Sequence, residues 1–168
     1  GPGGLVAWGA QGGSARAGRL TVTTLRALAD RVGAALEVEG LGTLTVDTAY
    51  GGDSFVIVDA EKLGFALDAS EARALAETGM KITAAANAQL GFSHPENPDW
   101  EHFSFCAFAG PVSEQNGRLT GRSAVAIPPG KIDRSPTGTA ISERRAVTQE
   151  TGEMYGGEHC PGPQLDAL

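Results

Sequence analysis

Thr45-Val46-Asp47-Thr48-Ala49-Tyr50-Gly51-Gly52-Asp53-Ser54-Phe55-Val56-Ile57-Val58 reads as a strand, a Gly-Gly turn and a second strand. Leu44, Val46 and Thr48 alternate with Thr45 and Asp47, the two-residue period of a strand buried on one face. Phe55 to Val58 is continuously apolar instead, as expected of a strand covered on both faces. Upstream, Leu36 to Glu39 faces Leu44 to Asp47 in a hairpin that turns through Gly40-Leu41-Gly42. Farther out, Leu5 to Trp8 and Arg19 to Thr23 read as short strands, joined by a Gly/Ser/Arg-rich loop from Gly9 to Gly18.

Downstream, the pattern changes to a helix from about Ser70 to about Leu90. Ser70 or Asp68 can cap its start, Glu71 suits the positive end of the dipole, and Gly91 suits its end. Leu75, Met80, Ile82, Ala86 and Leu90 trace an approximate apolar stripe, and Gly79 in its middle predicts a bend. A polar loop from Ser93 to Asp99 leads to a strand over His102 to Phe108, with Phe103, Phe105 and Ala107 on one face. Gly121 to Ile127 is a further strand, and a second helix is expected to begin after Pro136 and run to about Glu150. Several strands with two helices make an α+β organisation.

Composition bounds the function classes. The chain has 168 residues, the size of one domain or of one lobe of a larger enzyme, with 41% hydrophobic and 20% charged residues, a globular balance. A net charge of −7 argues against a nucleic-acid partner. No apolar stretch approaches membrane-spanning length and no secretory signal pattern is present, so the expected location is cytoplasmic. Two cysteines make neither a disulfide framework nor a zinc site: Cys106 lies in an apolar run and reads as a buried structural thiol, Cys160 as an exposed bystander. His94, Glu96, Asp99, Glu101 and His102 offer metal-ligating types, but their spacing fits no ligand motif; with Pro95 and Pro98 between them they read as a solvated polar loop. The glycines near the N-terminus lack the strand–GxGxxG–helix order of a nucleotide site. Tyr50 reads equally as a pocket wall or as packing at a strand end, and Trp8 and Trp100 as packing residues.

Asp133-Arg134-Ser135-Pro136-Thr137-Gly138-Thr139 by itself reads as a loop followed by a helix N-cap: Pro fixes φ and Thr caps. Together with the segment around Tyr50-Gly51-Gly52, with Gly91-Phe92-Ser93-His94-Pro95, with Trp100 to Phe105 and with Pro129-Gly130-Lys131-Ile132, it resembles the proline racemase family over roughly residues 4 to 154. The resemblance implies one lobe, mostly the second, of the two-lobed proline racemase and diaminopimelate epimerase-like fold, each lobe a curved sheet wrapped around a central helix. The domain so expected covers residues 1–154, with 155–168 as a disordered tail. A small proline- or hydroxyproline-type substrate, no cofactor and no metal are implied, and a homodimer is compatible with the reading.

The same resemblance assigns roles. Gly138 and Thr139 would hold the substrate carboxylate at a helix N-terminus, Asp133 would accept from the ring ammonium, and His102 would contact substrate. Thr137 stands where racemases and epimerases of the family carry a second Cys, and where trans-3-hydroxy-L-proline dehydratases carry a Thr. A hydroxyl cannot readily exchange a proton with Cα near neutral pH, so Thr137 implies elimination of the 3-hydroxyl rather than racemisation, with proline racemase or 4-hydroxyproline 2-epimerase as the alternative. The family's first motif, Met-x-Cys-Gly-His, is absent from these 168 residues. The chain is therefore expected to be a partial enzyme, inactive alone; a non-catalytic, ligand-binding remnant is the other class. Glu143, Arg144 and Arg145 are unusual for a helix the family buries, since unpaired buried charges cost several kcal/mol each.

Overall fold

A computed structural model describes residues 7–11, 19–23, 28–95, 97–115 and 118–133. β1 (Ala7–Gln11) and β2 (Arg19–Thr23) pair antiparallel, Ala7 opposite Thr23 and Gln11 opposite Arg19. The first strand thus runs past Gly9, where a loop was expected. Ladder pairing along β2 supplies partners for the Gly9 to Gln11 backbone and overrides the local turn preference.

A six-stranded sheet follows in the order β3 (Leu28–Val38), β4 (Gly42–Tyr50), β5 (Ser54–Asp59), β6 (Phe105–Gln115), β7 (Arg118–Ile127) and β8 (Lys131–Ile132). All neighbours are antiparallel except β5 and β6, which run parallel. The expected hairpin is present and turns at Gly40, with the Leu41 N–H donating to the Val38 carbonyl at 3.0 Å. Its arms are far longer than Leu36 to Glu39 and Leu44 to Asp47, because two irregularities in β3, between Ala29 and Arg31 and between Arg31 and Ala34, keep a polar stretch in the ladder.

β5 is the middle of the sheet's core, and its side chains from Ser54 to Val58 are all buried, as the unbroken apolar run predicts. Val56 and Val58 join Cys106, Phe108, Ala124 and Ala126 on the helix side, while Phe55 and Ile57 join Ala49, Ala107 and Val125 on the other. Full burial of each such side chain is worth about 1.5–3 kcal/mol.

The connection from β5 to β6 carries the helix α1 (Ala72–Gln89), entered by a 3-10 turn at Ala69–Glu71. The Glu71 carboxylate accepts from the Ala66 and Asp68 N–H groups, 3.0 Å each, and fixes this entry. Gly91, in the left-handed region at φ 63°, ends the helix with its N–H on the Ala86 carbonyl. The buried stripe is Leu75, Ala76, Gly79, Ile82, Thr83 and Ala86, a regular helical repeat. The expected bend at Gly79 does not interrupt the helix. Gly79 instead marks the closest approach of helix to sheet: a Cβ there would lie 2.3 Å from the Ala126 Cβ and 3.2 Å from Phe108. At the far end, the Gln89 side chain donates to the Glu37 carbonyl at 2.6 Å and accepts from its N–H at 3.0 Å, occupying backbone groups on the sheet's open β3 edge.

β6 also departs from expectation. It begins at Phe105 rather than His102, and Phe103 does not share a face with Phe105 and Ala107. The Asn87 side chain grips the Phe103 backbone on both sides, accepting from its N–H at 2.7 Å and donating to its carbonyl at 3.0 Å. Held outside the ladder, Phe103 turns into the helix-side core. The expected second helix, the boundary at 154, the 155–168 tail and Cys160 lie outside the described residues. Among the described residues no helix is long and apolar enough to cross a membrane.

Candidate functional site

The Gly51-Gly52 turn delivers Asp53 and Ser54 to the start of β5, both buried. Asp53 Oδ1 accepts from the Ser54 N–H at 3.2 Å, and the Ser104 hydroxyl also donates to the carboxylate. Burial pushes the Asp53 carboxyl above the usual range; the two hydrogen bonds and the nearby His102 pull it part of the way back.

The Ser54 hydroxyl ties the start of β5 to the segment 100–104. It donates to the His102 carbonyl at 2.6 Å and accepts from Trp100 Nε1–H at 2.8 Å and from the Ser104 N–H at 3.1 Å. The Trp100 and His102 rings stack, centroids 5.3 Å apart and 16° from parallel. This wall borders an open cavity of about 550 Å³, whose lining includes Asp53, Thr83, Asn87, Trp100, His102 and Phe103. Asn87 and Thr83 are already engaged with backbone, at Phe103 and at the Gly79 carbonyl. The polar groups left to meet a small molecule are the Asp53 carboxylate and the exposed His102 ring.

Of the residues singled out in the sequence, His102 lines this cavity. Asp133 follows β8, half-buried, its N–H on the Val125 carbonyl at 2.9 Å, and is not one of the lining residues. Thr137, Gly138 and Thr139 lie outside the described residues. Tyr50 proves to be packing: fully buried, its ring lies 4.3 Å from His94, 6.1 Å from Trp100 and 6.2 Å from Phe92. Burial, then the charge of Asp53, raises the Tyr50 hydroxyl above its ordinary pKa.

His94 corrects the expectation of a solvated loop. It is 1% exposed. The chain folds back so that its N–H donates to the Trp100 carbonyl at 3.2 Å, while the Asn97 N–H donates to the His94 carbonyl, also at 3.2 Å. Aromatic packing against Tyr50 outweighs the polarity of the flanking residues. Among the described residues no three His, Cys, Asp or Glu side chains converge as a metal site would require. Cys106 is a fully buried thiol beneath α1, as its apolar run implied.

Sequence reasoning missed Asp53, Ser54 and Ser104, and took Trp100 for packing alone. The available signal was position: two adjacent polar residues directly after a Gly-Gly turn and directly before an apolar strand.

The comparisons with known proteins agree with this architecture. The crystal structure of a hydroxyproline epimerase from Agrobacterium vitis, with bound trans-4-hydroxy-L-proline, superposes with a TM-score of 0.71 at 26% identity, covering 94% of this chain and 47% of that one. That of a probable proline racemase from Agrobacterium radiobacter, with bound carbonate, superposes with a TM-score of 0.72 at 21% identity, covering 94% and 48%, and shows the shared fold. The chain thus spans about half the length of these structures. The family model described as proline racemase matches residues 1–162. The mixed six-stranded sheet with its packed helix is a lobe of that family's fold, and the chain belongs to the proline racemase family.

Proposed function

We propose that the chain supplies one wall of a site for a proline-type amino acid, in an enzyme that inverts Cα as a hydroxyproline 2-epimerase or proline racemase does. The observation that carries this reading is the match of 94% of the chain, at 26% identity, to a hydroxyproline epimerase holding its amino acid. In this reading Gly138 and Thr139 meet the substrate carboxylate, Asp133 the ring ammonium, and His102 closes the pocket from the Trp100 side. Developing negative charge on the carboxylate as Cα loses its proton is stabilised by the backbone N–H donors that Gly138 and Thr139 bring.

A second reading is favoured by Thr137. Where inversion calls for a base on each face of Cα, Thr137 offers a hydroxyl, which suits loss of water from trans-3-hydroxy-L-proline. There the Cα–H bond breaks, its electrons form the Cα–Cβ double bond, and the 3-hydroxyl leaves as water with a proton. The resulting enamine tautomerises to a pyrroline carboxylate. In either case the proton-abstracting Cys must come from a Met-x-Cys-Gly-His run, which these 168 residues do not contain. The chain alone is then a binder without turnover.

Binding is tested by thermal unfolding with pyrrole-2-carboxylate, a planar mimic of the deprotonated ring. Dose-dependent stabilisation that is lost in Asp133→Ala supports the half-site; a cooperative transition that the compound does not move rules it out. The reaction is separated by joining the chain to a family lobe carrying the Cys motif. Chiral chromatography of trans-4-hydroxy-L-proline reads inversion, and formation of a pyrroline from trans-3-hydroxy-L-proline reads elimination.

A further inference from the structure

Asp53 is 8% exposed, lines the cavity, and is paired with no Lys or Arg among the described residues. Its partners are neutral donors, the Ser54 N–H and the Ser104 hydroxyl, with His102 the nearby titratable group. A carboxylate removed from water without a cationic partner is costly, and the cost is kept where a ligand supplies the missing charge. The remaining wall suits a cation with a small apolar body. The Trp100 indole is fixed by its hydrogen bond to Ser54 and stacked on His102, and both rings line the same cavity as the carboxylate. The cavity, about 550 Å³, lies within the range of small-ligand sites.

We propose that Asp53 and the Trp100–His102 stack form a binding subsite for a small cyclic ammonium, with the Asp53 carboxylate as its counter-ion. The subsite needs no carboxylate on the ligand. It differs in this from the Asp133–Thr139 half-site and borrows from that reading only the five-membered ring of the ligand. If both hold, the ammonium of a proline-type molecule is received at Asp53 during binding, and Ser54 is a positioning residue that keeps the aromatic wall in place.

The test uses the whole chain, with Trp fluorescence and chemical-shift changes read on titration with pyrrolidine, a cation without a carboxylate, and with tetrahydrofuran, its uncharged isostere. Pyrrolidine binds and tetrahydrofuran does not. Asp53→Asn weakens pyrrolidine binding about tenfold or more, the scale of losing one charge-assisted contact, and by more than Asp133→Asn does. Equal binding of the two isosteres, no pyrrolidine binding, or loss only in Asp133→Asn overturns the subsite. If Asp53→Asn does not fold, the chemical-shift changes in the unaltered protein decide the matter: they fall on Ser54, Trp100 and His102 if the subsite is correct, and at Asp133 if it is not. Pyrrole-2-carboxylate run in parallel separates the two readings: its binding with no response to pyrrolidine sinks the subsite and spares the half-site.

Discussion

Beneath the helix, Gly79 leaves so little room that one added methyl would sit 2.3 Å from the Ala126 Cβ, whereas at the cavity rim the Ser54 hydroxyl is held by hydrogen bonds to His102, Trp100 and Ser104. The first region is governed by volume, with Ala126, Phe108 and Cys106 setting a separation that only hydrogen at Cα permits. The second is governed by partners, since each buried polar atom there must find one. Shape is indifferent to pH, while a rim containing a buried carboxylate is not. The comparison separates what holds this lobe together from what equips it to receive a ligand.

The strongest test of that division is Gly79→Ala. In an isolated helix Ala would gain about 1 kcal/mol over Gly. Here we expect a net loss of about 3 kcal/mol, the upper range for overpacking, measured by denaturant unfolding. Moving the methyl across the contact, with Gly79→Ala combined with Ala126→Gly, recovers most of the loss; a double variant as unstable as the single one would mean that volume is not the cause.

Ser54→Ala comes next. It leaves the Trp100 indole N–H without its acceptor and the His102 carbonyl without its donor, while the Ser104 N–H keeps the Ser54 backbone carbonyl at 3.0 Å, for a loss of about 1–3 kcal/mol. Trp fluorescence shifts with it, a response that Gly79→Ala does not produce if the two regions are independent.

Asp53→Asn is expected to change the pH profile more than the maximum stability. The folded-state pKa of Asp53 is raised, so between its ordinary and raised values the folded chain holds more protons than the unfolded one. Its contribution to stability is therefore fully present below the ordinary carboxylate pKa and is lost as pH rises through the folded value. In Asp53→Asn that decline disappears from unfolding midpoints measured across the acidic range.

The smallest effect is reserved for Arg73→Ala, on the solvent side of the helix. Its 3.0 Å bridge to Glu77 is exposed at both ends, and its loss costs no more than about 0.5 kcal/mol. A larger cost would mean that the outer face of α1 contributes more than the division allows.

Where local pattern and tertiary demand coincide, the fold was legible from residues alone. The apolar run Phe55 to Val58 became the central strand, and Gly91 ended the helix. Gly79 was visible but misread, because its reason lies in Ala126 and Phe108, distant in sequence, and not in the helix itself. Phe103 broke its period because Asn87 holds its backbone, and His94 was buried by partners its loop composition gives no hint of. Of the candidate site, His102 lines the cavity, the substrate contact that the resemblance implies for it being part of the proposal, while Asp53 and Ser54 carry no signal of their surroundings in the sequence. Their chemistry depends on Trp100 and Ser104, brought alongside only when β6 docks.

The parallel seam between β5 and β6 carries one more consequence. β3 to β5 pair in sequence order, and so do β6 to β8, so each set forms through short-range closures. Joining them requires residues 60–104, including all of α1, to be spanned before Phe55 can meet Phe105. The entropy of that single large closure is the main kinetic toll of the lobe. Cutting the chain within the connection would therefore leave two self-pairing meanders, and their reassembly on mixing would report the strength of the seam by itself.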